Sequence, residues 1–296
     1  MRLEGASEPI HGAVPNEYLD VVVAITDLGS PTVMLFLLAI LYWVVDRDRA
    51  LLVVGYAFVG LLVLVTLKAA LGMPRPPDAL FLIELDADEY GFPSGHTYAA
   101  VVVYGGLLVA FDRTRSLPAV GAVTTLVVAI GLSRVILGLH YLGDVVAGGL
   151  FGALTLVILE RVVGDEPRRA FAIALGCSLP AVLVVGFTGY TLLGIGGGIG
   201  GVLAASRLES LPSLRGRLEG VVLVAVGCGF VLALEVAIDA VPAGASGPAV
   251  VAGLAAVAGL YAVQVAGIIL APAAVGRLPL SLDAGPDGSP TADGEA

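Results

Sequence analysis

Charge is scarce in this chain, and lysine most of all. Of 296 residues only 14% are charged, and a single lysine, Lys68, stands against 14 arginines. A soluble domain usually carries about a quarter charged residues, so that class is excluded. The net charge is −10 and no basic stripe runs through the sequence. Without one there is nothing to neutralise phosphates along a duplex, and no nucleic-acid partner is expected. Cysteine is rare too. Cys177 and Cys228 both fall in apolar runs and read as small buried hydrophobes, not as a disulfide or a metal site. The first 16 residues lack a basic start followed by an apolar run and a cleavage site, so no removable signal peptide is expected. No lysine follows the glycine-rich stretch TGYTLLGIGGGIGG, residues 188–201, in the Walker pattern. Its glycines are read as surfaces for close helix packing in lipid. No internal repeat is apparent.

What is abundant is apolar surface: 58% hydrophobic residues and a mean hydropathy of +0.98. A helix needs about 20 apolar residues to cross a bilayer. The sequence predicts an all-α, polytopic transmembrane bundle of about nine spans, near 29–45, 50–71, 94–112, 117–138, 140–160, 169–187, 189–206, 219–240 and 248–271. The amphipathic segment Glu17–Leu28 either lies in the interface or extends the first span. If the nine spans alternate, eleven arginines share one side: Arg47, Arg49, Arg113, Arg115, Arg161, Arg168, Arg169, Arg207, Arg215, Arg217 and Arg277. Arg2, Lys68, Arg75 and Arg134 are left for the other side. The arginine-rich side should be cytoplasmic. The expected localisation is therefore a multi-pass cell-membrane protein, N-terminus outside and C-terminus inside.

Lys68, Arg75 and Arg134 thus fall on the face where cations are otherwise avoided. Each sits at a helix end. Gly72 and Pro74 stop the second span just after Lys68 and before Arg75. Pro93 and Ser94 suit the start of the third span, whose N–H groups would present an anion site beside Gly95 and His96. Ser133 and Arg134 close the fourth, and His140 opens the fifth, with Asp144 four residues on and on the same helix face. A carboxylate held against one imidazole nitrogen fixes the tautomer and makes the other a better base or nucleophile. Arginine grips phosphate as a fork and lysine as a point charge. The cluster is expected to bind and transfer a phosphoryl group.

Lys68 with Arg75-Pro76, Pro93-Ser94-Gly95-His96, and Ser133-Arg134 with His140 and Asp144 together resemble, in order and spacing, the three-part signature of the type-2 phosphatidic acid phosphatase superfamily. The resemblance covers about residues 17–161. It implies a phosphatase-type helical core, with His140 as nucleophile forming a phosphohistidine, Asp144 orienting it and His96 as general acid. Lys68, Arg75, Ser94, Gly95 and Arg134 would hold the phosphoryl oxygens; Ser133 belongs to the motif without a clear role. It implies no cofactor and no metal. The chain then divides into a polar N-terminal segment (1–16), the phosphatase-like core (17–161), about four additional spans of unassigned role (162–276) and an acidic tail read as disordered (277–296).

The function expected is an integral membrane hydrolase of a lipid phosphate or polyprenyl diphosphate at the outer face, its partner being the membrane lipid itself. A phosphotransferase, or a lipid-phosphate binding or transport protein, is the alternative. A binder would have no need of a histidine poised by a carboxylate. Among other polar groups, Asp78, Glu84, Asp86, Asp88 and Glu89 read as a solvated loop, and Glu235 and Asp239 as facing water or a neighbouring helix.

Overall fold

The computed structural model describes residues 2–83, 90–213, 216–242 and 248–277. The acidic stretch Glu84–Glu89, Arg215 and the tail beyond Arg277 lie outside them. The described residues form twelve helices and no strand, apart from an isolated bridge between Pro74 and Tyr90. The helices are α1 (Glu4–His11), α2 (Leu19–Asp27), α3 (Pro31–Val44), α4 (Arg47–Leu71), α5 (Gly95–Ala100), α6 (Gly106–Ala110), α7 (Leu117–Ile136), α8 (Leu142–Val163), α9 (Pro167–Val185), α10 (Gly189–Ala205), α11 (Arg217–Asp239) and α12 (Pro248–Val275). A π-helical stretch, Val101–Gly105, joins α5 to α6, so Gly95–Ala110 runs as one interrupted rod.

All nine expected spans fall on helices, but nine crossings are not what helix length supports. Among the described residues, six helices (α4, α7, α8, α9, α11 and α12) are long and apolar enough to cross a bilayer. A seventh crossing arises if α2 and α3, bent by 54° at their junction, count as one span. Gly95–Ala110 and α10 are apolar but shorter. The Glu17–Leu28 segment is helical over α2, set at 54° to α3 and packed on α7.

Local signals set the helix ends. Asp46 caps α4 by accepting the Arg49 N–H at 3.0 Å, and Gly72 ends it in the left-handed conformation at φ 58°. α4 is apolar all round and lies at the centre of the bundle, with α3 and α9 against it. Arg49, at its start, bonds Asp112 beyond α6 at 3.1 Å. The arginines at these ends thus gather opposite the end of the bundle that carries Lys68.

The glycines of α10 do the packing work assigned to them. A Cβ on Gly197 would lie 2.1 Å from Phe58, on Gly194 2.5 Å from Leu62, and on Gly200 2.2 Å from the Ala262 carbonyl. α10 therefore sits tightly among α4, α9 and α12. Glu235 accepts a hydrogen bond from Gln264 at 2.8 Å, joining α11 to α12. α3 is tied to α12 by two buried side chains. Pro272 has no N–H, which leaves the Ile268 carbonyl without its helical donor. The Trp43 indole N–H supplies one at 3.0 Å, and the Tyr42 hydroxyl donates to the Ile269 carbonyl at 2.7 Å.

Candidate active site

Four helix ends meet at one end of the bundle: the last turn of α4, the start of α5, the end of α7 and the start of α8. Lys68 is buried in that last turn and donates to the Tyr90 carbonyl at 2.9 Å. A Cβ on Gly95 would lie only 4.0 Å from its Nζ, so the ammonium borders the first turn of α5. Arg134, 2% exposed, donates from Nη1 to Thr26 Oγ1 at 3.2 Å, which anchors α7 to α2. Arg75 reaches over from the loop after α4. Its Nη1 donates to the Leu139 carbonyl at 3.3 Å and lies 3.2 Å from His140 Nε2.

That last contact assigns the imidazole. Arginine can only donate, so Nε2 is the acceptor and carries the lone pair, leaving the proton on Nδ1. Nδ1 is 3.5 Å from Asp144 Oδ2 and makes no hydrogen bond. His140 occupies the turn between α7 and α8 and is fully buried. Burial is the main cause that lowers its pKa to about 3; the nearby carboxylate of Asp144 opposes this, and the charges of Arg134, Arg75 and Lys68 add to it. The ring is therefore neutral at physiological pH, with a lone pair aimed toward the arginine.

Asp144 has no exposed surface. Its Oδ2 accepts the Tyr141 N–H at 2.9 Å, closing the first turn of α8. Its main-chain carbonyl accepts the Ser94 N–H at 2.9 Å, so the start of α5 is bonded directly to the first turn of α8. The Ser94 N–H therefore points at Asp144 rather than into the pocket, and its hydroxyl accepts from Thr97 at 3.2 Å. His96, half-buried one residue after Gly95, is reached by the charges of Arg134, Arg75 and Lys68 and by His140. Gly29, at the bend between α2 and α3, leaves room for it: a Cβ there would lie 3.2 Å from that of His96. Ser133 turns back into its own helix, donating to the Ile130 carbonyl at 2.7 Å.

Lys68, Arg75, Gly95, His96, Arg134, His140 and Asp144 thus converge, with Ser94 as the joint between two of the helices and Ser133 turned away. Sequence reasoning missed Thr26 and Arg2. The N-terminal arginine bonds both carboxylate oxygens of Asp144, at 2.7 and 2.6 Å. Its only signal in the sequence is its place among the four cations on the sparse side.

Comparison with known proteins agrees with the geometry. Residues 48–168 match the PAP2 superfamily. Over those residues, which span α4 to α8, the chain carries the pattern of that superfamily. It is similar to the decaprenylphosphoryl-5-phosphoribose phosphatase of Mycobacterium tuberculosis, in strains CDC 1551 and H37Rv. Each is 33% identical over 127 residues, covering 41% of this chain and 66% of the relative. The chain thus spans just under two thirds of the length of these relatives. Among solved structures it is similar to a PAP2-type phosphatidylglycerolphosphate phosphatase from Bacillus subtilis, at 25% identity and a TM-score of 0.46, covering 53% of this chain and 82% of that one. The PAP2 match ends two residues into α9, so the last four helices lie almost wholly beyond it.

Proposed function

We propose that this PAP2-family chain is a membrane phosphatase that hydrolyses a lipid phosphate or polyprenyl diphosphate at the extracytoplasmic face, through a phosphohistidine and without a metal. The observation that carries the reading is the lone pair of His140 Nε2, turned toward the arginine that would grip the phosphoryl group.

The substrate phosphoryl group enters between Arg75 and His140, and Arg75 transfers its hydrogen bond from Nε2 to a phosphoryl oxygen. Lys68, Arg134 and the first turn of α5 take the remaining oxygens. Nε2 attacks phosphorus, and the bond from phosphorus to the leaving oxygen breaks. His96, neutral before substrate binds, takes up a proton as the anionic phosphoryl group enters and donates it to that oxygen. Asp144 steadies the positive charge that spreads onto His140 through its Nδ1–H. Water then attacks the phosphohistidine, His96 takes its proton, and inorganic phosphate leaves. Such transfer depends on positioning and charge more than on covalent chemistry, and these side chains supply both. A site at the ends of apolar helices suits a substrate whose tail stays in the bilayer. The M. tuberculosis relative's polyprenyl phosphate substrate supports placing a polyprenyl lipid in the test panel. If all nine apolar helices cross, eleven arginines lie on one side against four basic residues on the other, and that count supports the outer-face assignment.

The test is phosphate release by the purified protein beside its His140→Ala variant. The panel is phosphatidic acid, phosphatidylglycerophosphate and a polyprenyl diphosphate, with no added metal. Release by the parent alone supports the reading, and the preferred lipid identifies the substrate class. A folded parent that releases phosphate from none of the three overturns it.

A further inference from the structure

The strongest contact to the catalytic pair comes from outside the matched region. Arg2 stands before α1, yet its Nε and Nη2 hold Asp144 Oδ1 and Oδ2 at 2.7 and 2.6 Å. Its guanidinium also lies over the Tyr141 ring, 4.8 Å from the centroid. The rest of the segment is tied down around it. The Arg2 carbonyl accepts the Gly143 N–H at 2.9 Å, and Ser7 Oγ accepts the Leu142 N–H at 2.9 Å. These are two of the N–H groups that the start of a helix leaves without partners. His11 Nδ1 lies 3.0 Å from the Ile136 carbonyl at the end of α7. Leu3 takes the left-handed conformation, φ 57°, turning the chain between α1 and Arg2. Gly143 leaves the space: a Cβ there would meet the Arg2 carbonyl oxygen at 2.6 Å.

We infer that Arg2 is a positioning residue of the active site, holding the buried Asp144 ionised and oriented toward His140, and that α1 is the clamp that delivers it. The inference rests on the phosphatase reading above. A carboxylate with no exposed surface needs a counter-charge to stay ionised, and one flanked only by neutral groups would take up a proton instead. Arg2 supplies that charge through both carboxylate oxygens. The charges divide accordingly: Arg2 acts on Asp144, while Arg134, Arg75 and Lys68 act on His140. Arg2 also restrains the carboxylate. With Oδ2 already accepting from Arg2 and from the Tyr141 N–H, His140 Nδ1 stands off at 3.5 Å. That gap closes as positive charge develops on the ring, so the interaction strengthens in the transition state and should appear in kcat.

The experiment is steady-state hydrolysis of phosphatidic acid and a polyprenyl diphosphate in detergent micelles by the full chain and its Arg2→Ala and Arg2→Lys variants. For Arg2→Ala, kcat should fall by about 10²-fold, as misplaced catalytic groups do, with KM within about threefold of the parent. Arg2→Lys restores the charge but not the fork and should recover part of the loss. A role confined to stability would not separate kcat from KM, nor be rescued by lysine. An active parent whose Arg2→Ala variant keeps kcat within threefold overturns the inference alone. A faster variant overturns it too, and makes Arg2 a brake. A parent inactive on both lipids overturns the phosphatase reading together with this inference.

Discussion

Replacing Gly148 with alanine should cost turnover far more than stability. Asp144, Gly148 and Gly152 follow one another at four-residue spacing on the face of α8 that meets α5. The Asp144 carbonyl accepts the Ser94 N–H, and α5 crosses closely enough that a Cβ on Gly148 would lie 2.6 Å from the Ser94 carbonyl oxygen. Ordinary contact begins near 3.4 Å, so the helices must part by about 0.8 Å locally. Overpacking of this kind costs about 1–3 kcal/mol. Alanine returns about 1 kcal/mol of helix propensity. The fold survives, with a net loss of about 2 kcal/mol or less. The displacement, however, falls between the helix that carries His96 and the one that begins beside His140. A misplacement of about 1 Å in a catalytic constellation can cost about 10²-fold in rate. The assay is kcat on the preferred lipid, with a thermal melt in the same detergent. Gly149→Ala is the control, because its Cβ would meet nothing nearer than Thr97 at 4.0 Å. If Gly148→Ala turns over within threefold of the parent and melts at the same temperature, the α5–α8 crossing does not set His96 against His140.

Trp43→Phe removes the donor that Pro272 makes necessary and leaves a buried carbonyl unpaired, costing about 1–3 kcal/mol; an unchanged melting midpoint would count against that account of the α3–α12 joint. Vanadate, which takes the shape of the phosphoryl transition state, should inhibit at low concentration, and chelators should not. Loss of activity in EDTA, restored by magnesium, would defeat the metal-free mechanism. A reporter fused after Arg277 should read as cytoplasmic and one inserted near Asp86 as external; the reverse pattern would invert the topology.

The catalytic cluster was legible because each member is a polar exception in an apolar background and sits where glycine or proline marks a helix end. Lys68 before Gly72, His96 after Pro93 and Arg134 at the close of the fourth apolar run can each be assigned to a helix end without knowing any contact, and those ends meet. Arg2 falls on the same side if the nine spans alternate, but its role does not show, since its partner is 142 residues away and an arginine near a terminus carries no periodic signal. Ser133 and Ser94 show a related limit. The sequence locates a hydroxyl or an N–H but does not say which acceptor or donor takes it, and here Ile130 and Asp144 do. The count of nine crossings is not confirmed, for a physical reason. Composition marks every apolar helix alike, whereas crossing also needs length, which α10 and Gly95–Ala110 lack.

The glycines of α10 link the last four helices to the chemistry. Packing in lipid was the right reading of that stretch, but its partners emerge only in three dimensions. Phe58 and Leu62, which fill the hollows at Gly197 and Gly194, lie on α4 one to three turns before Lys68. A helix with glycine against its bulky side chains on one face and α3 on another has little freedom to slide or tilt. The additional helices therefore reach the pocket through α4. Whatever else they do, they fix the height at which Lys68 meets the first turn of α5.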